Sequence, residues 1–596
     1  MDDRDINRSL GGPWVRQGHL FVPPTVPQRH GEMDNIKPYV KYSELFGRRP
    51  TQDEFIDRLR RIGLRSLMVS LSSLMQIVYN DGVGTPRLQA RLAIRALTPQ
   101  MLERLRRLPN AGERVVFFPQ QALFTMKFAA LHSPDDVDHR PDDQFRDELV
   151  EILLMASEFL DDIAVPSSRD EARRVLLSHV VRNFLLNATD QFRYMLPRAA
   201  LLYVNLPNEP ELRDDPDFLD IASIFREATS FALRDFIAFG LAFFPWFIDQ
   251  SELRGTFTVD RQSINPNTFF SNARIEPETA QRLLEALSHT YGSLASDLRE
   301  RLARQPGALR DAYDFLPFMK KPLYRVRDDV LVPFHLGYLA AKFSGGIYWT
   351  IFDHLNGPER LRFSRFFGRV FELYVRRAIQ RAIPDHTGLA RRVYPEFPYQ
   401  VKAGDRRTSD VIVVYDRAAI FIEATASRIK MEDTAITGDR TAFDGDTDKI
   451  LLEKAKQLTD RIRDFRAGLY TIGGLTDRDI PTIYPVIATL QSLPESSITW
   501  AYFNERLRNE GLLQDARIEP LQLLDIEEIE ILEGVLPQGV SLLEILGRRM
   551  ADRERRYISM KNFLIATIGE RGVNEYMQGR YRELGTHITD LLFSAE

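Results

Sequence analysis

The sequence predicts an α+β multidomain protein in which mostly helical N-terminal and C-terminal regions flank a smaller mixed domain. Up to about residue 345, apolar residues recur mainly at helical spacing. From about residue 358 to 490, the order of elements changes to helix, three short β-rich runs, helix and strand. At roughly 150 residues per domain, this length makes three or four units. We therefore predict a Pro-rich extended arm (1–50), a helical domain (51–345), a mixed domain (346–495) and a C-terminal helical region (496–596).

The composition is that of an ordinary globular protein, with 44% hydrophobic and 27% charged residues. The absence of cysteine excludes disulfides, thiolate zinc sites and cysteine nucleophiles. Because no secretory signal pattern opens the chain, we expect a cytoplasmic protein. The longest apolar run, Phe236 to Ile248, is too short to span a bilayer and predicts a buried helix, with no membrane partner. A net charge of −5 gives no overall attraction to nucleic acid, so such a partner would need a local basic surface.

Helix starts can be placed at two capping boxes, Thr51-x-x-Glu54 and Ser168-x-x-Glu171. A third helical stretch is predicted over residues 278–304 as one long segment. The helical domain shows no repeat of fixed period, so its function stays open.

The segment most informative about chemistry reads SDVIVVYDRAAIFIEATAS and predicts a β-hairpin. A turn at residues 416–419 would pair Asp410 with Thr425 and Ile412 with Glu423. Side chains alternate between the faces of a strand, so both carboxylates and the threonine would share one face. A register slip of one residue would break this arrangement.

Paired carboxylates on one face of a sheet are suited to holding a divalent metal. Glu423 lies between Ile422 and Ala424 in a run that reads as buried. A buried carboxylate needs a cation, a proton or hydrogen-bond donors. Mg²⁺ or Mn²⁺ could supply the charge, since Mg²⁺ favours one or two carboxylates together with water and phosphate oxygens.

The order of elements and the two strand acids resemble the PD-(D/E)XK nuclease superfamily over residues 359–490. The resemblance implies a restriction-endonuclease-like αβββαβ core and metal-dependent hydrolysis of a phosphodiester, in DNA rather than RNA. It also implies that Asp410, Glu423 and the helix residue Glu372 hold Mg²⁺ or Mn²⁺, and that Gln457 fills a polar position on the later helix. By analogy alone, restriction or anti-phage defence would follow, with the helical region selecting substrate or a partner protein.

Thr425 departs from this pattern, because the family has a lysine two residues after the second acid. One interpretation moves the lysine role to Lys454 or Lys430. Lys454 is favoured by its spacing, since Lys454, Gln457 and Arg461 share one helix face. The opposite face would then pack on the sheet through Leu451, Ala455, Leu458 and Ile462. The other interpretation is a catalytically inactive scaffold that keeps the fold and binds nucleic acid or a partner subunit.

A third interpretation is a helical adaptor whose acids are only surface charge, in which case Glu423 would be exposed. Glu372 has a simpler interpretation as well, as an ion-pair partner of Arg369 or Arg376. The basic face of the same helix could be solvated or could track a phosphate backbone, and it comprises Arg362, Arg365, Arg369 and Arg376.

Two acidic clusters are weaker metal candidates. The triad Asp444, Asp446 and Asp448 lacks the glycine and glutamate of an EF-hand and predicts an acidic loop that opens a helix. In residues 132–140, two histidines lie near Asp135, Asp136 and Asp138, and an exposed turn is the preferred interpretation there. The chain also lacks the phosphate-loop, dinucleotide, zincin and serine-hydrolase motifs.

Overall fold

The computed structural model has a mixed α+β fold that is predominantly helical. The residues that it describes are 39–81, 86–135, 143–160, 192–248, 263–304 without 272, 312–383, 392–552 without 403, 555–568 and 573–593, with short pieces at 15–17, 20–22, 177 and 180–182. The two first strands, β1 (Val15–Gln17) and β2 (Leu20–Val22), pair with each other antiparallel.

Helices dominate the first part of the chain, as predicted. They are α1 (Tyr42–Phe46), α2 (Gln52–Leu59), α3 (Leu64–Asp81), α4 (Pro86–Ala96), α5 (Pro99–Arg107), α6 (Pro119–His132), α7 (Asp143–Leu160), α8 (Phe192–Ala200), α9 (Pro210–Arg213), α10 (Ile221–Thr229), α11 (Leu233–Ile248), α12 (Pro266–Phe269), α13 (Pro277–Leu287), α14 (Tyr291–Arg304), α15 (Leu316–Lys320), α16 (Leu336–Lys342) and α17 (Gly346–His354). The capping box at the start of α2 is confirmed, because the Glu54 N–H donates to Thr51 Oγ1 over 3.2 Å. The second predicted box, at Ser168, lies outside the described residues.

The prediction of one helix over residues 278–304 is wrong. A two-residue strand, β3 (Ser288–His289), separates α13 from α14. It pairs with β4 (Leu323–Arg327), which pairs in turn with β5 (Val330–Pro333). The break is stabilised by the buried His289 ring, whose Nε2 lies 3.1 Å from the Pro317 carbonyl oxygen. Contacts so distant in sequence leave no mark on the local helical pattern.

The second part of the chain contains a five-stranded sheet. Its strands are β6 (Arg392–Pro395), β9 (Val411–Val414), β10 (Ala418–Thr425), β11 (Thr482–Thr489) and β12 (Gln522–Asp525), in the spatial order β12-β11-β10-β9-β6. β9 pairs antiparallel with both β6 and β10, whereas β11 is parallel to β10 and β12. A separate hairpin, β7 (Pro398–Val401) with β8 (Gly404–Arg407), is inserted between β6 and β9.

The remaining helices surround this sheet. They are α18 (Gly357–Ala382), α19 (Arg440–Thr447), α20 (Glu453–Arg466), α21 (Ser497–Asn509), α22 (Ile526–Val535), α23 (Leu542–Ala551), α24 (Met560–Ile568) and α25 (Glu575–Leu592). Two π-helical turns, Met431–Ile436 and Asp448–Leu452, precede α19 and α20. The predicted order of helix, three strands, helix and strand is present as α18, β6, β9, β10, α20 and β11, with the β7–β8 hairpin and α19 as additions.

The predicted hairpin forms, but its predicted register is wrong by two residues. Ile412 lies opposite Phe421 rather than opposite Glu423. The chain turns at Asp416 and Arg417, where the Tyr415 N–H donates to the Ala418 carbonyl over 2.8 Å. This shorter turn replaces the predicted one. Because strand side chains repeat every two residues, a shift of two leaves each side chain on its predicted face.

The two faces of the sheet pack on different helices. Ile420, Ile422 and Ala424 of β10 belong to the core formed with α18. Ala419 and Phe421 belong to the core formed with α20. That second core includes the four predicted sheet-packing residues, Leu451, Ala455, Leu458 and Ile462. By alternation along the strand, Glu423 lies on the α20 side of the sheet.

The apolar run from Phe236 to Ile248 lies within α11 and is mostly buried, as predicted. Gly240 permits close helix packing there, because a Cβ atom at this position would lie 2.9 Å from the Leu196 side chain. Among the described residues, no single helix is long and apolar enough to cross a membrane, although α2 with α3 and α10 with α11 would qualify as bent pairs by length and composition.

Candidate functional site

Four of the five predicted site residues come together at one end of the central strands. Asp410 immediately precedes β9, and Glu423 lies in β10. Lys454 reaches them from α20, and Glu372 reaches them from the middle of α18. The sheet therefore supplies the two acids and the two flanking helices supply one residue each.

The carboxylate of Asp410 is fixed by the neighbouring strand. Its Oδ2 atom accepts a hydrogen bond from the Ala424 N–H over 2.7 Å. Its carbonyl oxygen accepts another from the Glu396 N–H over 3.2 Å. Burial raises the pKa of Asp410, and Glu396 raises it further, against the lowering by Lys454 and the Ala424 N–H. One carboxylate oxygen of Asp410 is thus bonded to the backbone of β10 at the residue after Glu423.

Glu423 is buried, with only 3% of its surface exposed. Burial, and then the negative charge of Asp410, raise its pKa to about 8. Lys454 and Arg461 oppose this rise. Glu423 and the half-exposed Asp410 share one lysine, so ionising both acids would leave more negative charge than Lys454 alone neutralises. The exposed Glu423 that the adaptor interpretation requires is not observed.

Lys454 provides a positive charge directly at the second acid. Its Nζ atom lies 3.5 Å from Glu423 Oε2, and their side chains are 16% and 5% exposed. Burial lowers the pKa of Lys454, but Asp410, Glu423 and Glu372 outweigh it, so the net pKa is raised. The ammonium is therefore charged across the physiological range. It contacts the acid from the helix rather than from the strand position of Thr425.

Glu372 forms the ion pair predicted for it and also lies close enough to Asp410 for the two charges to interact. Its Oε2 atom accepts from Arg369 Nη1 over 3.0 Å, which is the predicted ion pair. Burial, and then Asp410, raise its pKa to about 7, which places it within electrostatic reach of the acids. The other predicted partner, Arg376, instead bonds to Glu211.

The four arginines of the predicted basic face of α18 are each bonded to another residue of the protein. Arg365 pairs with Asp217 over 2.6 Å, and Arg362 donates to the Phe218 carbonyl over 2.5 Å. Both partners lie in the segment before α10, so this part of α18 docks on the helical region.

The remaining predicted residues are positioned less closely. Gln457 is half-buried on α20, one turn after Lys454. Thr425 is buried, and its Oγ1 atom accepts from the Ser427 N–H over 3.2 Å, so the hydroxyl caps the turn that ends β10. Lys430 is exposed, with its Nζ 4.0 Å from Asp433 Oδ2. Of the two candidate lysines, only Lys454 is brought to Glu423.

The acidic pair offers two carboxylates to a metal ion and not a complete shell of protein ligands. Within the described parts of the chain, no group of three or more His, Asp or Glu side chains is arranged to hold a metal ion. Asp410 and Glu423 nevertheless match the requirement of Mg²⁺, which takes one or two carboxylates and completes its shell with water and phosphate oxygens.

The second acidic cluster is structural. Asp446 is buried, and its Oδ2 accepts from the Lys430 N–H and from Thr434 Oγ1 over 2.8 and 2.7 Å. The predicted acidic loop is wrong, because Asp439 caps a helix that begins before the cluster. Most of the histidine cluster, residues 136–140, lies outside the described ranges.

Sequence reasoning missed two neighbours of the site. Glu396 follows β6 and raises the pKa of Asp410. Arg461 was placed on the Lys454 face but was given no role, although its charge lowers the pKa of Glu423. The helical spacing of Lys454 and Arg461 was the available signal for the second residue.

Comparison with known proteins does not assign a function to the site. No protein-family model matches the chain, and no curated protein matches its sequence.

Proposed function

We propose that the protein is a divalent-metal-dependent phosphodiester hydrolase that cuts nucleic acid, with DNA as the expected substrate. The observation that carries the proposal is the contact between Lys454 Nζ and Glu423 Oε2 at 3.5 Å. This contact gives the acidic pair a positive charge, although Thr425 occupies the strand position where the resembled family has a lysine. A site with two carboxylates and one ammonium can hold a metal and still present a cation to phosphate.

The element order supports membership of the PD-(D/E)XK nuclease superfamily. Helix α18 precedes three antiparallel strands, β6, β9 and β10, and α20 leads to β11, parallel to β10. This is the order that a restriction-endonuclease-like core requires. The β7–β8 hairpin and α19 would then be insertions into that core.

The residues present fit a small, hard cation. The pKa of Glu423 is raised to about 8, mainly by burial and then by Asp410, so the charged form lacks enough positive partners. Mg²⁺ and Mn²⁺ prefer negatively charged oxygen ligands, which Asp410 and Glu423 provide. Asp410 is half-exposed, so water can reach the site. Asp410 and Glu423 would hold the ion, with Glu372 assisting from α18. When bound, such an ion lowers the pKa of water and offsets charge on phosphate.

The chain's own groups would orient the reacting atoms. The Ala424 N–H holds the Asp410 carboxylate in place, so this ligand is preorganised. The Lys454 ammonium can donate to a phosphate oxygen or to the attacking water, and stabilise the negative charge that develops during hydrolysis. Gln457, one turn further along α20, has the length and polarity to orient the same water or phosphate.

The competing function is a nuclease-like scaffold without catalysis. Thr425 favours it, because the threonine hydroxyl is committed to the turn at Ser427 and provides no charge. Under this alternative, Lys454 would only neutralise a buried acid.

A cleavage assay separates the two functions. Double-stranded DNA, single-stranded DNA and RNA would each be incubated with Mg²⁺ or Mn²⁺ and wild-type protein, Glu423→Ala or Glu453→Ala. Glu453 is the matched control, since it is an exposed glutamate adjoining Lys454. We expect metal-dependent cutting by wild type and Glu453→Ala and none by Glu423→Ala. If folded wild-type protein cuts none of the three substrates, the result favours the scaffold.

A further inference from the structure

Arg461 is a cation near the candidate site that has no ion-pair partner among the described residues. Its Nε atom is buried without a hydrogen-bond partner among the described residues. Among the residues that the structure describes, no carboxylate lies within ion-pair distance of the Arg461 guanidinium. Burying one edge of a guanidinium without a partner is unfavourable, so such a group points to a missing acceptor.

The acids beside Arg461 on its own helix already have other partners. Asp464, three residues later, accepts from Tyr399 Oη and from Arg406 Nη1, each over 2.7 Å. Asp460 accepts from Arg463 Nη2 over 2.6 Å. The ordinary explanation, a helical ion pair, is therefore unavailable to Arg461.

Arg461 lies within electrostatic range of Glu423, and also of Tyr399 and Tyr470. Lys454 and Arg461 are seven residues apart on α20, which puts them on one face of the helix. The charge of Arg461 also lowers the pKa of Glu423. Seven residues correspond to about 10.5 Å along the helix axis. The two residues therefore leave the helix two turns apart, a spacing that suits successive points on a nucleic-acid strand.

We infer that Arg461 binds a backbone phosphate next to the phosphodiester held at Asp410 and Glu423. This inference rests on the proposed function. A guanidinium suits the role because its planar donors match two phosphate oxygens and its charge persists at every relevant pH. Arg461 would position the strand along α20 while Lys454 serves the reacting phosphate.

The test is the salt dependence of binding to a fluorescent 30-base-pair DNA duplex. The full chain carrying Glu423→Gln would be used in EDTA, so that the duplex stays intact. Into this background we would add Arg461→Met, Arg461→Lys or Arg463→Met. Arg463 is the matched control, because it lies on the same helix but is 63% exposed and paired with Asp460. The melting temperature of each variant would be recorded as a check on folding.

We expect Arg461→Met to weaken binding about 10-fold at 0.1 M KCl and to reduce the slope of log K against log [salt] by about 0.9, the loss of one phosphate contact. Arg461→Lys should restore most of that slope, and Arg463→Met should leave it unchanged. An unaltered slope in Arg461→Met, or an equal loss in Arg463→Met, would overturn the inference even while wild-type protein still cuts DNA. Wild-type protein that neither binds nor cuts would instead refute the proposed function.

Discussion

At the scale of single residues, the candidate site depends on two positions, Thr425 and Lys454. Thr425 leaves the strand without a cation, and Lys454 brings one from the neighbouring helix to within 3.5 Å of Glu423. The sequence allowed this outcome to be predicted, because Lys454 and Gln457 share a helix face. It could not show that Arg461 lacks a partner, since that depends on which distant side chains reach Asp464.

Replacing the lysine should remove catalysis while the fold persists. We predict that Lys454→Met lowers the cleavage rate by about 10²–10³-fold, because a preorganised charge next to the reacting phosphate is lost. Single-turnover cleavage measures the effect. Lys456→Met, an exposed neighbour on the same helix, is the control and should stay within about 2-fold of wild type, as surface charges contribute little.

A second lysine variant tests whether the two positions are equivalent. In the Lys454→Met background, Thr425→Lys would return the charge to the strand, two residues after Glu423 and on the same face. We predict that it recovers at least part of the lost cleavage rate. A double variant as inactive as Lys454→Met alone, with an unchanged melting temperature, would argue against a shared role.

The raised carboxyl pKa values predict a pH effect on stability. The pKa of Glu423 rises from an ordinary 4.5 to about 8 on folding, chiefly through burial. The unfolded chain therefore loses this proton first, and the stability of the metal-free protein falls as pH rises from about 4.5 through 8. We predict a falling melting temperature in EDTA between pH 6 and pH 8, and a shallower fall in Glu423→Gln. Identical pH profiles for the two proteins would contradict a raised pKa at Glu423.

At the scale of elements, patterns within a segment were predicted well and pairings between segments were not. The hairpin strands, α18, α20 and β11 follow from local periodicity and capping. The hairpin register was wrong by two residues because the turn sequence, with Asp416 and Arg417, is not a strong turn signal. The face of the sheet on which each side chain lies was still predicted correctly, because side chains alternate with a repeat of two residues.

Helix α18 shows why a basic face cannot be interpreted from sequence alone. Arg365 is bonded to Asp217, 148 positions earlier in the chain. We therefore predict that Arg365→Met changes the affinity for a DNA duplex by less than about 2-fold. The slope of log K against log [salt] should also stay the same, because no phosphate contact is lost. Fluorescence anisotropy over a range of KCl concentrations provides the measurement. A slope reduced by about one unit would mean that Arg365 leaves Asp217 to bind phosphate.

At the scale of the whole molecule, the sheet is not separated from its flanking regions. One hydrophobic core includes residues from Tyr194 to Leu592 and contains side chains of α18 and β10. Helix α22 adds four buried glutamates to this core, at positions 527, 528, 530 and 533. The sequence of α22 alone would place these acids in water, because partners such as Arg198, Arg381 and Lys561 lie outside the helix.

Glu530 joins three regions of the chain through buried bonds. It accepts from Arg198 Nη2 over 2.6 Å and from Tyr374 Oη over 2.5 Å. Removing one partner leaves the other charge buried and unpaired, so Arg198→Met should lower the free energy of unfolding by about 3–5 kcal/mol. The double variant Arg198→Met/Glu530→Met should be less destabilised than that single variant. Denaturant unfolding of the single and double variants tests this coupling, and strictly additive losses would refute it.

The measurement that tests the central claim most directly is calorimetric titration with Mn²⁺ of wild-type protein, Asp410→Asn and Lys454→Met. If the acidic pair holds the catalytic metal, wild type should bind the ion and Asp410→Asn should not. Lys454→Met should bind Mn²⁺ at least as tightly as wild type, because a competing positive charge beside Glu423 has been removed. Equal binding, or none, by wild type and Asp410→Asn would contradict the account.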